Sequence, residues 1–189
     1  LDPPPDNAPG WGLRVLWIAL AACASTLLLA ITAYLTQDVA AVPFLWVAPL
    51  SVYLLSFILC FQSPAVYDRR LWLPLLGAAL GWMAYLTRPE SPDYKVPTMV
   101  LAAVSALFIC AMVCHGEIVR SRPHPRYLTG FYLMIALGGV LGGVFVSVVA
   151  PNVFPGFYEL PIALAGCGFL ALAAVAREKQ AWQSRGAVW

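Results

Sequence analysis

Apolar residues run along this chain in six long stretches, and the short connections between them carry almost all of its charge. A helix needs about 20 mostly apolar residues to cross a hydrocarbon core of about 30 Å, and the six stretches permit crossing once a few residues at their ends are allowed for. Strands of a membrane barrel would be about ten residues long and alternate in polarity, which this chain does not do. The pattern predicts an all-α integral membrane protein, a bundle of about six transmembrane helices. The predicted spans are 15–35, 39–61, 71–87, 99–114, 131–150 and 160–176.

The composition agrees with this prediction. Hydrophobic residues make up 61% of the chain and charged residues 11%, whereas soluble domains carry about 25% charged residues. The lipid bilayer is therefore the first predicted partner. The net charge of +2 follows from the placement of basic residues in the connections, so no nucleic-acid partner is predicted.

The basic residues also predict an orientation. Six spans place both termini on one side, and nine of the eleven Lys and Arg residues fall on that side. Cytoplasmic connections are enriched in Lys and Arg, so we expect cytoplasmic termini and a bacterial cytoplasmic (inner) membrane. The nine residues are Arg14, Arg69, Arg70, Arg120, Arg122, Arg126, Arg177, Lys179 and Arg185; the other two are Arg88 and Lys95.

The two ends of the chain are predicted to lie outside the membrane. Residues 1–10 are rich in Pro and Asp and have no basic region before an apolar core, which is unlike a secretory signal. This composition predicts a cytoplasmic linker, and the absence of an initiator Met favours a piece of a longer protein. The six-helix domain is predicted over 11–176 and a cytoplasmic tail over 177–189.

Cysteines fall mainly within the predicted spans, where a cysteine usually serves as a small apolar residue. A disulfide framework is not expected. The run from Cys110 to His115 invites a haem or metal interpretation, but its two cysteines are separated by three residues and a c-type haem site needs two. Helix packing is the preferred interpretation, and no metal or cofactor is predicted.

The connection between the first two predicted spans consists of Thr36, Gln37 and Asp38. Three residues predict a tight helical hairpin, with Asp38 able to cap the second helix. Pro43 and Pro49 would then lie inside that helix, where each removes a backbone hydrogen bond and favours a bend.

Glycines mark the fifth predicted span. Gly138, Gly139, Gly142 and Gly143 form two overlapping Gly-x-x-x-Gly pairs, which let another helix approach closely in lipid. These four residues are predicted to pack against a helix of this chain or of another subunit. The run does not fit Gly-x-Gly-x-x-Gly and follows no predicted strand, so nucleotide binding is rejected.

The connection from Cys114 to Tyr127 is the most polar part of the chain. Glu117 and Arg120 are three residues apart and can pair on a helix surface, while Pro125 is suited to open the next helix. The loop can contact anionic headgroups, dock a cytoplasmic domain or simply fix the topology. The candidate contact residues are His115, Glu117, Arg120, Arg122 and Arg126.

The opposite face offers fewer polar groups. Asp38 and Glu159 are the candidate residues of a polar site there, for instance for a cationic solute, although a carboxylate exposed to water explains each as well. Phe154, Phe157 and Tyr158 are expected to lie in the aromatic belt at the membrane interface.

Several of these segments together resemble the membrane region of the fused transporter-like/spermidine synthase proteins, the transmembrane spermidine synthase-like family. The resemblance covers about Leu13 to Leu170, and the motifs follow in the expected order. They are Thr36–Leu50, Tyr53–Leu59, Met112–Glu117, Arg120, Arg122–Pro123, Arg126, Leu128–Thr129, Phe131–Leu133, the glycine run, Ala150–Pro151 and Glu159–Leu164.

The resemblance implies that this chain corresponds to the second six-helix half of that membrane region. Family members join it to a cytoplasmic domain similar to aminopropyltransferases, which extend putrescine with decarboxylated S-adenosylmethionine. One departure is visible, because Val146 stands where the family pattern leads us to expect Asn. A polar role for that position is therefore in doubt.

Three functions follow as hypotheses. The first is a non-catalytic membrane domain or subunit that anchors or assembles another protein domain or subunit through the glycine-rich helix or the basic loop. The second is half of a transporter for a small solute, such as a polyamine, which would usually need a second repeat. The third is a fragment of a membrane-bound aminopropyltransferase. The sequence shows no catalytic set of nucleophile, base and paired carboxylates, so no catalytic residues are predicted in this chain.

Overall fold

The computed structural model describes residues 8–38, 44–88, 96–154, 156 and 158–186, and within these ranges it contains no strand. The prediction of an all-α protein is confirmed for this part of the chain. The long helices are α1 (Trp11–Asp38), α2 (Phe44–Gln62), α3 (Arg69–Leu86), α4 (Val96–Arg120) and α5 (Leu128–Val144), followed by the short α6 (Ala150–Val153) and the long α7 (Glu159–Gly186).

Five of the six long helices are long and apolar enough to cross a membrane, judged by length and composition. They are α1, α2, α4, α7 and the segment that contains α5. Helix α3 is the exception, because its 18 residues begin with Arg69 and Arg70. Of the six predicted spans, the structure thus supports five on this basis, and the stretch 71–87 corresponds to a helix of lower apolarity.

Three predicted boundaries differ from the structure. The fourth predicted span ends at 114, but α4 continues to Arg120, so the first half of the predicted loop is helical. Thr36, Gln37 and Asp38 belong to α1 and do not form a turn; the hydroxyl of Thr36 donates to the carbonyls of Thr32 and Ala33 at 3.0 Å within the same helix. Residues 39–43, with the predicted helical Pro43, lie outside the described residues, while Pro49 lies inside α2. Helix α7 continues to Gly186, so the predicted tail is helical as far as the structure describes it.

Helices α1 and α4 form the centre of the bundle. Helix α1 packs against α2, α4, α5 and α7, and α4 also packs against α2, α3 and α7. Residues 111–119 of α4 are all buried. This stretch carries the only acidic side chain of α4, Glu117, so the bundle encloses the charge that the sequence places at the edge of the membrane.

The first turns of α1, α3 and α5 meet the last turn of α4 and the part of α7 around Glu178 at one end of the bundle. Trp17 contacts Phe131 edge to face, with ring centroids 4.9 Å apart, and its indole Nε1 donates to the hydroxyl of Ser121 at 2.9 Å. Arg69 contacts both Glu117 and Glu178. We call this part of the molecule the basic end.

The glycine-rich helix α5 lies against α1 within the chain. A Cβ added at Gly138 would lie 2.4 Å from the carbonyl oxygen of Ile18, and one added at Gly142 would lie 2.3 Å from that of Ala22. These distances are too short for any side chain, so only glycine permits the observed approach. Gly143 faces open space, and Gly139 would make only ordinary contact, with the Ser25 hydroxyl at 3.5 Å.

The outer surfaces of α2 and α5 are apolar. Only 17% of the apolar 18-residue stretch of each of these two segments is buried inside the protein, against 50% of the corresponding stretch of α1. Large side chains face outward along both, among them Trp46, Leu54, Ile58, Leu133, Val140 and Val144. These surfaces are suited to contact lipid chains or another apolar protein surface.

Helix α5 is followed by a π-helical turn, Phe145–Val149, that leads into α6. The turn includes Val146, the position at which the resemblance fails. Ser147 in the same turn donates its hydroxyl to the Gly143 carbonyl at 2.8 Å, so the polar group nearby is satisfied within the helix.

The two glycine faces of α5 predict opposite effects of the same substitution. We expect Gly142→Ala to lower the free energy of unfolding by about 1–3 kcal/mol, because the added methyl group collides with the α1 backbone. Gly143→Ala is the matched control; it should be neutral or stabilise the protein by up to about 1 kcal/mol through helix propensity. Unfolding in mild detergent measures both, and equal effects would contradict the α1–α5 contact.

Candidate functional site

A buried carboxylate organises the basic end. Glu117 lies in the last turn of α4 and is only 2% exposed. Its Oε2 accepts from Arg69 Nη2 at 2.5 Å, and its Oε1 accepts from Arg69 Nε at 2.6 Å. This two-point contact with a planar guanidinium is the strongest form of such a pair. A charge is costly to bury unless it is paired in this way.

Tyr67 completes the surroundings of Glu117. Its hydroxyl donates to Glu117 Oε1 at 2.7 Å. Burial, and then the nearby negative charge of Glu117, raise the pKa of the Tyr67 phenol, which keeps it protonated as a donor. Its ring lies over Gly116, where a Cβ would come within 2.2 Å of the ring carbon Cγ. Glycine at position 116 is therefore what allows Tyr67 to reach the carboxylate.

A second carboxylate extends this cluster to α7. Glu178 contacts Arg69 and accepts from Arg120 Nη2 at 3.0 Å. The pair expected between Glu117 and Arg120 is not the one observed, because Glu117 points into the bundle while Arg120 lies on its surface. The charges thus alternate through Glu117, Arg69, Glu178 and Arg120 and connect α3, α4 and α7.

A cleft of about 410 Å³ opens beside these charges. Four arginines and two glutamates line it, which gives its walls a net charge of +2 (four positive minus two negative). Arg69 and Arg120 pair with the glutamates. Arg122 and Arg177 have no ion-pair partner among the described side chains, so the surplus positive charge lies with them. The lining residues are Leu13, Leu16, Arg69, Glu117, Arg120, Ser121, Arg122, Ala174, Arg177 and Glu178.

The predicted contact residues separate into two groups. Arg120, Arg122 and Arg126 are exposed, whereas His115 and Glu117 are each only 2% exposed. His115 faces α2, between the rings of Tyr53 and Phe57. Its surroundings are thus aromatic side chains of this chain.

His115 contacts a hydroxyl of α2. Its Nδ1 lies 3.0 Å from the hydroxyl of Ser56, and that hydroxyl lies 2.7 Å from the Tyr53 carbonyl. The Nδ1 atom of His115 and the carboxylate of Glu117 therefore both have polar partners within this chain.

Of Asp38 and Glu159, the two candidates for a polar site at the outer face, only the side chain of Glu159 is described by the structure. Glu159 opens α7 and is 8% exposed, a position at which a carboxylate is favoured by the helix dipole. Asp38 ends α1, and its side chain lies outside the described part of the structure. A nearby cavity of about 300 Å³ is lined by Leu80, Ala84, Thr87, Pro161, Leu164 and Ala165, and so without a charged side chain.

Three cysteines from separate helices meet one turn deeper than Glu117. Cys23 of α1, Cys114 of α4 and Cys167 of α7 have sulfur atoms that all lie within 4.8 Å of one another. The interpretation of the cysteines as isolated apolar residues does not foresee this cluster. Cys110 and His115, which the sequence places beside Cys114, are not part of it.

Sequence reasoning missed Tyr67 and Arg69 as partners of Glu117, and Glu178 as a second partner of Arg69. The one available signal was Glu117 itself, an acidic residue that directly follows a long apolar stretch. An ionisable residue at such a place needs a partner, but its identity depends on which helices pack together. The three cysteines carried no spacing signal, since Cys23, Cys114 and Cys167 are far apart in the sequence.

Comparisons with protein-family models, with curated proteins and with solved structures find no match to this chain. The candidate site is therefore interpreted from its own geometry.

The cluster predicts unequal effects of two similar substitutions. Glu117→Gln should lower the free energy of unfolding by about 3–5 kcal/mol, because it removes the buried one of the two carboxylates that Arg69 contacts. Glu178→Gln should cost no more than about 1 kcal/mol, because Glu178 is 53% exposed. Unfolding of both variants in the same detergent tests this difference, and a Glu117→Gln effect as small as that of Glu178→Gln would contradict it.

Proposed function

We propose that this chain is a non-catalytic membrane domain that anchors and assembles a partner protein, with the basic end as the docking site. In this proposal all six long helices cross a bacterial inner membrane, and both termini and the basic end face the cytoplasm. The observation that carries the proposal is the cleft beside Glu117, whose surplus positive charge lies with Arg122 and Arg177.

The charges of the cleft support docking of an acidic partner. Arg69 and Arg120 are held in place by Glu117 and Glu178, so the wall is ordered before anything binds. Arg122 and Arg177 supply the charge that an acidic segment would neutralise. Opposite charges across an interface guide association and select among partners.

The internal contacts support a scaffolding role. The carboxylate of Glu117 is taken up by Tyr67 and Arg69, and Arg69 also contacts Glu178. Groups paired with one another in this way hold helices together. The exposed guanidinium groups nearby are suited to binding rather than to proton transfer, because Arg stays charged in proteins.

The direction of the helices supports the proposed orientation. Helix α3 has 18 residues, which gives a length of about 27 Å, and it runs between α4 and α7 with Arg69 at the basic end. With α3 counted as a crossing, the start of α1 and the end of α7 fall on the same side. That side carries the basic loop, as expected of a cytoplasmic face.

The resemblance to the spermidine synthase-like family suggests the nature of the partner. It would be a cytoplasmic domain similar to aminopropyltransferases, in the same polypeptide or in a separate one. Transport of a solute has less support, because Glu159 does not line the cavity between α3 and α7 and all six lining residues of that cavity are uncharged.

Site-specific crosslinking tests the docking site. A photoreactive amino acid in place of Arg122 should crosslink to a polypeptide when the protein is irradiated in its own membranes. The same amino acid in place of Val140, which is 61% exposed on the apolar face of α5, should crosslink to lipid. Crosslinks from position 122 to lipid alone would contradict docking and would identify the cleft as a headgroup site.

Charge reversal gives an independent prediction. The pair Arg122→Glu and Arg177→Glu should lower the yield of the crosslinked partner, captured from a third position at the basic end, by about tenfold or more, since each like-charge contact opposes an acidic partner. Arg88→Glu, at the opposite end of the bundle, is the control and should leave the yield unchanged. Equal yields in all variants would show that charge does not direct the interaction.

The proposed orientation is tested by labelling. The five native cysteines are buried. A cysteine introduced at the exposed position of Arg126 or of Tyr158 therefore reports on which side of the membrane that position lies. A membrane-impermeant maleimide should label Arg126→Cys only in inverted vesicles and Tyr158→Cys only in right-side-out vesicles. The opposite result would reverse the orientation, and labelling of both positions from one side would exclude six crossings.

A further inference from the structure

The cysteine cluster described above joins three helices in the interior of the bundle. The sulfur atoms of Cys114 and Cys167 are 3.8 Å apart, and the three sulfurs all lie within 4.8 Å of one another. Sulfur ligands at about 2.3 Å from a common metal ion are separated by about 3.8 Å in a tetrahedral arrangement and by about 4.0 Å in a trigonal one. The sulfurs are thus close to coordination distance with only small movements of Cys23.

All three cysteines are buried. Cys114 is fully buried, Cys167 is 1% exposed and Cys23 is 8% exposed. The sulfur of Cys23 lies 3.5 Å from the Ala163 carbonyl, and that of Cys167 lies 3.9 Å from the Cys110 carbonyl. Both of these oxygen atoms belong to helix backbone, so thiol sulfur is the main donor.

This donor set selects a class of metal ion. Thiolates favour soft ions, whereas carboxylate, carbonyl and water oxygens favour Mg²⁺ and Ca²⁺. Zn²⁺ in proteins is almost always four-coordinate, with water as the usual fourth ligand when the protein supplies three. The cluster offers three sulfur ligands, one fewer than Zn²⁺ takes in a closed structural site, and a site of two or three sulfur ligands suits Cu⁺.

We propose that Cys23, Cys114 and Cys167 form a binding site for a soft monovalent metal ion, with Cu⁺ the best fit. Each thiol that becomes a thiolate ligand releases one proton, and no oxidant or reductant is needed because Cu⁺ binds without a change of oxidation state. Two thiolates and one retained thiol would leave a single net negative charge in the site, which is less costly to bury than three thiolates would be.

The position of the site gives metal binding a structural consequence. Its three ligands lie on α1, α4 and α7, so one ion would join the two central helices to the last helix. Helices α4 and α7 are also joined by the arginines and glutamates of the basic end, about one turn away along α4 and about three turns away along α7. A ligand that binds only the folded protein raises its apparent stability, so Cu⁺ should raise the unfolding temperature of the detergent-solubilised protein.

The unaltered protein provides the first test. The chain is reduced, freed of metal, titrated anaerobically with Cu⁺ in the presence of a competing chelator, and then denatured briefly with a cysteine alkylating reagent. We expect one copper ion per chain and slower alkylation of Cys23, Cys114 and Cys167 than of Cys60 and Cys110, read by peptide mass spectrometry. Equal alkylation of all five cysteines, or no retained copper, would overturn the proposal.

Single substitutions provide the second test. Cys23→Ser, Cys114→Ser and Cys167→Ser should each weaken Cu⁺ binding by more than about tenfold, since loss of even an indirect supporting contact costs a metal site that much. Cys60→Ser is the matched control, because Cys60 is equally buried but its sulfur lies against Met112, 3.7 Å from both the carbonyl oxygen and the sulfur of that residue. Binding that survives all three cluster substitutions, or is lost in the control, would contradict the assignment.

X-ray absorption at the copper edge of the loaded, unaltered protein gives a readout that does not depend on how well the variants fold. The proposal predicts a first shell of sulfur atoms only. A shell containing nitrogen or oxygen would place the copper elsewhere. A disulfide between Cys114 and Cys167 in protein isolated without reductant, together with no copper uptake after reduction, would identify the cluster as a thiol pair and overturn the metal site.

Discussion

The buried pair of Glu117 and Arg69 constrains the arrangement of the helices more than any other contact. A carboxylate that is 2% exposed in an apolar helix is stable only where donors reach it, and its donors come from the start of α3 and from Tyr67 just before it. Because Arg69 also contacts Glu178, the same pair fixes the position of α7 beside α3 and α4. One charge in α4 thus positions two neighbouring helices and forms one wall of the basic cleft.

Close backbone packing plays the corresponding role for α1. Gly138 and Gly142 let α5 approach α1 more closely than any side chain would allow, and the hydroxyl of Thr26 lies 3.5 Å from the Gly142 carbonyl at this contact. Helices in lipid associate largely through such packing, since lipid chains are as apolar as the helices themselves. The opposite faces of α2 and α5 remain apolar and open, so the bundle presents lipid-compatible sides and one charged end.

Much of the fold followed from the sequence, because apolar length and charge placement act along the chain itself. The helical class and five of the spanning segments could be predicted in this way. The limits of α1 could not, since Thr36 continues the helix through hydrogen bonds to its own backbone. Helix α3 is less apolar than the five spanning segments, because Arg69 and Arg70 precede the apolar stretch 71–87 within the same helix.

The candidate site was less predictable because its members are distant in sequence. Glu117 could be identified as a candidate from the sequence, and its neighbour Arg120 was the expected partner. In the structure Glu117 pairs instead with Arg69 of another helix. The role of Gly116 depends on its contact with the ring of Tyr67, which the sequence does not indicate. The cysteines of α1, α4 and α7 likewise acquire a shared chemistry only when the three helices come together.

The central claim is that the basic end holds a partner protein, and native mass spectrometry of material extracted from its own membranes in mild detergent tests it most directly. The account predicts a mass well above the 20.5 kDa of this chain, from a continuous longer polypeptide or from a stoichiometric subunit. A mass of 20.5 kDa accompanied only by lipid would contradict it.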